Sequence, residues 1–432
     1  MNSRAPFKRC AARRCRIIST LNEKKPSVLF LNRSYWPDAE ATGQLLTELC
    51  EDLADRFEIT VLAGQPNQNP KNEEFCRSGR EQHNGVMIER VRHPQWGKRF
   101  IPARAFNLVG FLIAAYFRAF RISRPDVVVT ETDPFLLPLL ARRLKWWHRT
   151  RLIVYLQDLY PDVAVSLGKV NEGWLTGFLR WQLKAVYCRA DLIVVLSGDM
   201  KNRLVKWGLD DSRIISIENW VDTSVIVPMK ADNALRKREG LCNRFIVMHS
   251  GNMGLSQHLD NVVEAAALLK VQPEIEILFV GGGADRPNLE AQSARLQLKN
   301  LRFLPYQPRD ELAQSLSAAD IHLISMHPEA HHCLMPSKLY GILASGTPVV
   351  AVAAIDSELA ILIRDHRIGF VVAPRDPKAL AQQIRWCADH RDELHEMGAR
   401  ARAMAIEMYD RKRQTSRFAD VIERSISSTC VQ

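Results

Sequence analysis

The sequence lacks the marks of several protein classes. Its nine cysteines (10, 15, 50, 76, 188, 242, 333, 387 and 430) are odd in number, irregularly spaced and without a Cys-x-x-Cys pair. That argues against a disulfide framework or a zinc site, and for a reducing cytoplasm. No apolar run reaches the ~20 residues that a bilayer-crossing helix needs. Ala105–Phe117 stops after 13 residues, between Arg104 and Arg118. The longer uncharged run Leu339–Ile355 is broken by Ser345-Gly346-Thr347-Pro348, which reads as helix, turn and strand. The Arg-rich N-terminus has no apolar stretch before Leu29, so it does not read as a secretory signal. There is no helix-turn-helix, zinc-finger or aromatic ribonucleoprotein motif. Neither Gly-x-Gly-x-x-Gly nor the Lys-Ser/Thr of a nucleoside-triphosphate loop occurs, and no short repeat is visible.

What remains is a soluble globular composition, 47% apolar and 25% charged, over 432 residues. At roughly 150 residues per domain that length suggests two or three domains. The net charge of +11 admits nucleic acid, an anionic membrane surface or an anionic small substrate. Its distribution narrows the choice. Residues 1–25 carry eight Lys/Arg against one Glu, a net +7, and residues 90–151 carry thirteen against three acids, a net +10. The remainder is therefore mildly acidic. Residues 1–25 read either as a flexible basic arm or as the product of an over-long start.

Short continuous apolar runs, as buried parallel strands require, alternate with helical patterns. In the first half the strands are Val28–Leu31, Ile59–Leu62, Val86–Val91, Asp126–Thr130, Leu152–Leu156, Leu192–Leu196 and Ile214–Ile217. Residues 64–85 are polar and patternless and read as a long loop, and residues 103–122 as a helix. Residues 219–243, with Pro228 and Asn233, read as a linker. The alternation restarts at Phe245–His249 and continues through Ile275–Val280, Leu301–Leu304, Ile321–Ile324, Pro348–Val352 and Phe370–Val372, with a helical tail of some 50 residues. Two such blocks imply an α/β protein with two doubly wound parallel sheets, and ligands at the carboxyl ends of the strands in a cleft between them.

The residues able to do chemistry fall at those strand ends. Gly43 opens a helix after the first strand, with Thr42 as the expected cap, and its free amides suit an anion. Ser250-Gly251-Asn252-Met253-Gly254, followed by Gln257, is a Gly-rich turn fit for a diphosphate or simply a turn. Gly281-Gly282-Gly283 ends the next strand, where glycines favour close approach of a base or ribose. Pro336-Ser337-Lys338 starts a helix, with Lys338 a point charge for phosphate, or else a surface lysine. His331 and His332 form no helical ligand pair, so no metal site is expected. In the first half, Asp158 and Asp162 follow a strand end and point toward the expected cleft, as a general base, a hydroxyl-orienting group or turn acids.

Taken together these residues resemble the nucleotide-sugar glycosyltransferases of family 4, over about residues 27–425, and bacterial members that build exopolysaccharide, colanic-acid or O-antigen units in particular. The phrases that carry the resemblance are Ser250–Gly254 with Gln257, Phe279–Gly283, Phe303-Leu304-Pro305-Tyr306, Ala319-Asp320, and Met335–Ile342 with Ala344–Pro348. The resemblance implies two facing Rossmann-like domains of the glycosyltransferase-B type and retaining transfer of a hexose-type sugar from a nucleoside diphosphate without a metal or other cofactor. It places an acceptor domain at 26–220, a linker at 221–243, a donor domain at 244–410, and a C-terminal helix at 411–432 crossing back. Met335, Pro336 and Ser337 would cradle the diphosphate, Gly282, Gly283 and Tyr306 the nucleobase, and Gly43 would lie near the phosphates. Gly251, Asn252, Gly254, Gln257 and Glu329 complete the implied donor set. Many relatives have two glutamates eight apart where Cys333 and Gly341 stand here, and Arg and Lys where Asn252 and Gln257 stand. Lys338 therefore gains weight as the phosphate counter-charge, and Asp158 is the residue expected to face the acceptor.

Segment 90–151 joins its charges to an apolar stripe, Phe106, Val109, Ile113, Phe117 and Phe120, at helical spacing. It is either a core helix with snorkelling arginines or, with Arg118, Arg121, Trp146 and Trp147, a face for an anionic inner-membrane surface. The latter would bring a cytoplasmic enzyme to a polyprenyl-diphosphate-linked glycan acceptor. A sugar-nucleotide epimerase of the same architecture is the rival enzyme reading. Nucleic-acid binding has only the net charge in its favour.

Overall fold

The computed structural model describes residues 25–67, 73–96, 101–254, 257–330 and 332–427. Apart from Lys25, the expected basic arm lies outside them. The first half runs β1 (Ser27–Leu31), α1 (Ala41–Leu53), β2 (Glu58–Ala63), β3 (Gly79–His83), β4 (Val86–Arg90), α2 (Ile101–Ala119), β5 (Val127–Thr130), α3 (Leu137–His148), β6 (Arg151–Leu156), α4 (Asp162–Ser166), α5 (Trp174–Tyr187), β7 (Leu192–Val195), α6 (Gly198–Lys206) and β8 (Ile214–Ser216). The second half runs α7 (Ala234–Arg238), β9 (Phe245–Ser250), α8 (Asp260–Leu268), β10 (Ile275–Val280), α9 (Arg286–Arg295), β11 (Leu301–Leu304), α10 (Leu312–Ser317), β12 (Ile321–Ser325), α11 (Lys338–Ala344), β13 (Val349–Val352), α12 (Glu358–Asp365), β14 (Gly369–Val372), α13 (Pro377–Asp389), α14 (Arg391–Met408) and α15 (Arg411–Ser427).

The strands form an eight-stranded sheet, β3-β4-β2-β1-β5-β6-β7-β8, and a six-stranded sheet, β11-β10-β9-β12-β13-β14. All pairs are parallel except β3 with β4. Both sheets are covered on both faces, which is why β5, β7 and β10 are buried at every residue. The strand order reverses between β1 and β5 and between β9 and β12. Loops at such reversal points splay apart and open a crevice at the strands' carboxyl ends.

Two stretches depart from the sequence expectation. Residues 64–85 are not all loop: Gly79–His83 pairs antiparallel with β4 as an edge strand. Its polar sequence, Gly-Arg-Glu-Gln-His, follows from having one wet face. The turn is Asn84-Gly85, with φ of 45° and 81°, the left-handed pair that a two-residue hairpin demands. The linker 219–243 contains the short helix α7, started by Asn233, whose side chain accepts from the Arg236 amide at 3.1 Å.

The last helix leaves the second sheet and packs on the first. Val221 bridges to Asp410 where the chain crosses back, and α15 lies against α1, β5 and β6. Phe418 is fully buried, its ring 6.4 Å from Phe30 and 5.1 Å from Tyr155. Arg411 grips both carboxylate oxygens of Asp52 at 2.9 and 2.8 Å. Phe418→Ala should cost about 3–5 kcal/mol of stability, from lost burial plus a cavity. Urea unfolding followed by the tryptophan fluorescence of the first half would check it.

Candidate functional site

On the second sheet, the turns after β9 and β10 are sewn together by their backbones. Gly251 N donates to Val280 O at 2.8 Å, Met253 N to Gly282 O at 2.7 Å, and Asp285 N to Met253 O at 3.0 Å. A Cβ at Gly281 would lie 2.1 Å from Gly251 O, and one at Gly283 2.3 Å from Met253 O. These two glycines are therefore required by backbone packing, a constraint that the expected approach of a base or ribose did not include. Gly282 is different. It faces the ring of Tyr306, whose hydroxyl donates to Gly282 O at 3.3 Å, so these two expected donor residues do meet. The side chain of Asn252 folds over Gly254, 2.9 Å from where a Cβ would be.

Lys338, the first residue of α11, points back under the β9 turn. Its Nζ lies 3.1 Å from Gln257 Oε1 and 3.2 Å from His249 Nε2, and about as close to Gly251, at 3.7 Å from a Cβ built there. No carboxylate pairs with it among the described residues. Burial alone lowers its pKa to about 7. His249, wholly buried on β9, is held well below its usual range, first by burial and then by Lys338. The structure thus brings together Lys338, Gln257 and Gly251 and adds His249. The sequence reading passed over that imidazole because one His in an apolar strand carries no spacing signal.

On the first sheet, the loops after β1, β5 and β6 form a polar network. Arg33 pairs with Asp133 at 2.9 Å, Ser34 Oγ donates to the same carboxylate at 2.9 Å, and Gln157 Nε2 donates to Glu131 at 3.1 Å. Glu131 is buried, and its pKa is raised, foremost by that burial. Asp158 is partly buried, and its carboxylate has no hydrogen-bond or ion-pair partner among the described residues. Burial, followed by repulsion from Asp133, raises it to about 6. It therefore stays mostly ionised at neutral pH and protonates within reach of mild acid. Asp162 does not point toward the cleft as expected. It is buried, and its two oxygens hold Arg180 at 2.9 and 2.7 Å and Arg203 at 3.0 and 2.8 Å.

The two halves touch beside these groups. Leu159 N, next to Asp158, donates to Cys333 O at 3.1 Å, and Cys333 sits in the core of the first sheet. Leu334 and Met335 pack against the cores of both halves. The loop that leads into Lys338 is thereby seated on the loop that carries Asp158. Arg309 pairs with Glu48 of α1. Asp199 and Glu358 accept each other's backbone amides at 2.9 and 3.0 Å, so α6 and α12 cap one another across the halves.

The other expected site residues are scattered. Gly43 lies in the first turn of α1, which begins at Ala41 with Glu40 in the cap position, so Thr42 is not the cap. Gly43 packs closely on Ser34, 3.2 Å from a built Cβ, so a larger residue there would make Ser34 shift. Pro336 is buried and Ser337 exposed. Glu329 is exposed, its amide donating to His327 Nδ1 at 3.3 Å, and no contact joins it to Lys338. Cys333 is buried, and a side chain at Gly341 would press on Leu316. No group of three or more His, Cys, Asp or Glu is placed to hold a metal ion among the described residues.

The stripe of α2 is not a core stripe. Asn107, Phe111, Ala115 and Ala119 face the sheet, while Phe106, Val109, Ile113 and Phe117 face outward and Phe120 is half-buried. Trp146 and Trp147 of α3 are exposed, and Phe120 meets Trp147 at 5.7 Å. Arg118 departs from the expected surface role. It pairs with buried Glu89 of β4, Nε to Oε2 at 2.7 Å. Arg121 is exposed.

Family comparisons fit this geometry. The family described as Glycosyl transferases group 1 matches residues 232–404, and the Glycosyl transferase 4-like domain matches residues 41–220. The two matches follow the two sheets, and the chain belongs to the group 1 glycosyltransferases, with the two Rossmann-like sheets of the GT-B fold. It is 28% identical to WcaI of Escherichia coli K12, a glycosyl transferase named for colanic acid biosynthesis, across 83% of this chain and 91% of that protein. It is 26% identical to WbjE of Pseudomonas aeruginosa, named as a probable glycosyltransferase, across 72% and 77%. Among solved structures, HepE of Anabaena with UDP-glucose bound superposes at a TM-score of 0.72 and 18% identity, over 92% of this chain and 99% of that one. WaaG, a glycosyltransferase involved in lipopolysaccharide biosynthesis, gives 0.67 and 16%, over 91% and 99%.

Proposed function

We propose that this glycosyltransferase moves a hexose-type sugar, with retention of configuration, from a nucleoside diphosphate to a lipid-linked glycan in cell-surface polysaccharide synthesis. The observation that carries the reading is Lys338. A partly buried ammonium set among neutral side chains, with no acid partner among the described residues, is costly unless an anion is due beside it. The names of WcaI and WaaG support the polysaccharide role, and UDP-glucose in HepE supports a nucleotide-sugar donor. In the reaction the carbon–oxygen bond to the diphosphate breaks and the acceptor oxygen bonds to the same carbon. Lys338 stabilises the charge that develops on the leaving diphosphate. Asp158, ionised at neutral pH, orients the acceptor hydroxyl and can take its proton.

The charge role assigned to Lys338 makes the reaction metal-independent. Chelation with EDTA should leave turnover unchanged, measured as nucleoside diphosphate released in the presence of acceptor. The pH profile should fall on the acid side near 6 as Asp158 protonates, and Asp158→Asn should remove that limb along with most of the activity. An epimerase would instead convert the donor with no acceptor present.

The acceptor's lipid requires a membrane face, and α2, α3 and α5 supply one. They pack side by side on the first sheet. Besides the α2 residues, they expose Trp146 at 74%, Trp174 at 84% and Trp181 at 62%, with Leu175 and Phe178 between. So large a patch of exposed aromatics marks an interaction surface, and tryptophan suits the bilayer interface. Arg121, Arg143 and Arg149 are exposed around it with no carboxylate partner among the described residues, which suits anionic lipid. No helix among the described residues is long and apolar enough to cross a membrane. Sedimentation with phosphatidylglycerol vesicles should carry the protein down, and replacing Trp146, Trp147 and Trp181 together with serine should leave it in the supernatant. Equal sedimentation of that variant would refute the face.

A further inference from the structure

Lys338, itself partly buried, has buried imidazoles beside it where a carboxylate would be usual. His249 on β9 is 3.2 Å from Nζ. His322, fully buried on the neighbouring β12, feels the charge of Lys338, and its pKa is lowered to about 4, chiefly by burial. Its Nε2 is bound to Leu316 O at 2.9 Å. Behind it lies Lys230, whose nearest acid, Asp320, is already engaged by Arg236 and the Ile246 amide, each at 2.7 Å. Gln257 Oε1, at 3.1 Å, is the neutral acceptor on the turn side. None of the groups around Lys338 brings negative charge.

His249 can serve Lys338 in either protonation state. As an ammonium, Lys338 donates to Nε2. As an amine, it accepts from Nε2–H, for which Asn252 O at 3.4 Å is the alternative acceptor. A side chain that only filled the core would not place this nitrogen against Nζ.

We propose that His249 is a positioning residue for Lys338, and that the diphosphate of a bound donor draws one proton onto this pair. The inference rests on the donor reading above. The step forms one N–H bond, from a solvent or buffer proton and the Nζ lone pair, and breaks none in the donor. Departure of the nucleoside diphosphate returns the proton. Above pH 7, full positive charge thus stands beside the β9 turn only while a diphosphate is there to meet it.

The sign follows from linkage. Near pH 6 the lysine is already protonated and binding takes up nothing. Above pH 7 the free enzyme has lost the proton and the complex regains it, so affinity should weaken by close to tenfold per pH unit. Between pH 7.5 and 8.5 the terminal phosphate of a free nucleoside diphosphate is already ionised and adds little to the slope. Calorimetric titration with UDP, GDP and ADP, at pH 8 in phosphate and in Tris, would read the uptake directly from the difference in heat. One proton per site and a near-tenfold weakening from pH 7.5 to 8.5 are expected for the nucleotide that binds. His249→Ala should admit water to Nζ, so that the lysine holds its proton before binding and the slope flattens. Lys338→Arg, always charged, should bind with no slope. A wild-type heat that is the same in both buffers overturns the proposal. So does a His249→Ala variant that binds more weakly by one constant factor at every pH, the mark of a purely structural role. Failure of all three nucleotides to bind would instead overturn the donor reading, and this pairing with it.

Discussion

Replacing Lys338 with alanine should lower sugar transfer by about 10²–10³-fold, the usual effect of removing one group that stabilises charge on a leaving oxygen. Product formation from a labelled donor, with circular dichroism as the check on folding, would measure it. The same change should not destabilise the protein. With its folded pKa near 7, below the unfolded lysine value, Lys338 binds its proton less readily folded than unfolded. Its ionisation therefore opposes folding at neutral pH, and that opposition fades as pH rises from 7 toward 10. Lys338→Met should raise the melting temperature at pH 7 and flatten its climb with pH. A variant that lost activity through a collapsed fold would show the opposite.

The second large effect belongs to Asp162. This carboxylate is buried, and it is the shared anchor of Arg180 on α5 and Arg203 on α6. Removing it leaves two guanidinium groups partly buried around a hole. Breaking a buried pair costs up to about 3–5 kcal/mol because the remaining charge is left uncompensated, softened here since Arg180 keeps Glu172 and Arg203 is partly exposed. Asp162→Ala should therefore unfold the first half at markedly lower urea, and Asp158→Asn, four residues away, should hardly move the midpoint. That contrast separates two acids which look alike in the sequence. One is a structural clamp, and the other is a partly buried carboxylate with no partner among the described residues, the one proposed to face the acceptor.

That confusion shows where sequence reading runs out. Strand positions were legible almost throughout, because parallel strands buried on both faces must be continuous apolar runs: Ile275–Val280 and Leu301–Leu304 agree to the residue. The edge strand β3 was missed because one wet face makes its sequence polar. Its Asn84-Gly85 turn was the available signal. Side-chain partners were less legible. Nothing in the spacing of Arg118 showed that it turns inward to Glu89, leaving Phe106, Val109, Ile113 and Phe117 outside. The glycines at 281 and 283 read as room for a ligand, and the sequence did not show that the 251–253 backbone already excludes a side chain at either. Lys338 and Gln257 were both singled out as lone residues. Only the fold shows that they meet at 3.1 Å, with His249 of β9 against the same Lys338 nitrogen.

The central claim is that the second sheet holds a nucleoside-diphosphate sugar against Lys338. Thermal denaturation of the whole chain at pH 7 with a panel of nucleoside diphosphates and their sugars tests it most directly, since a ligand bound only by the folded state raises the melting temperature. At least one member should stabilise the wild type and Asp158→Asn alike and leave Lys338→Ala unmoved. A panel with no stabilising member, or a Lys338→Ala variant stabilised as strongly as the wild type, would contradict it.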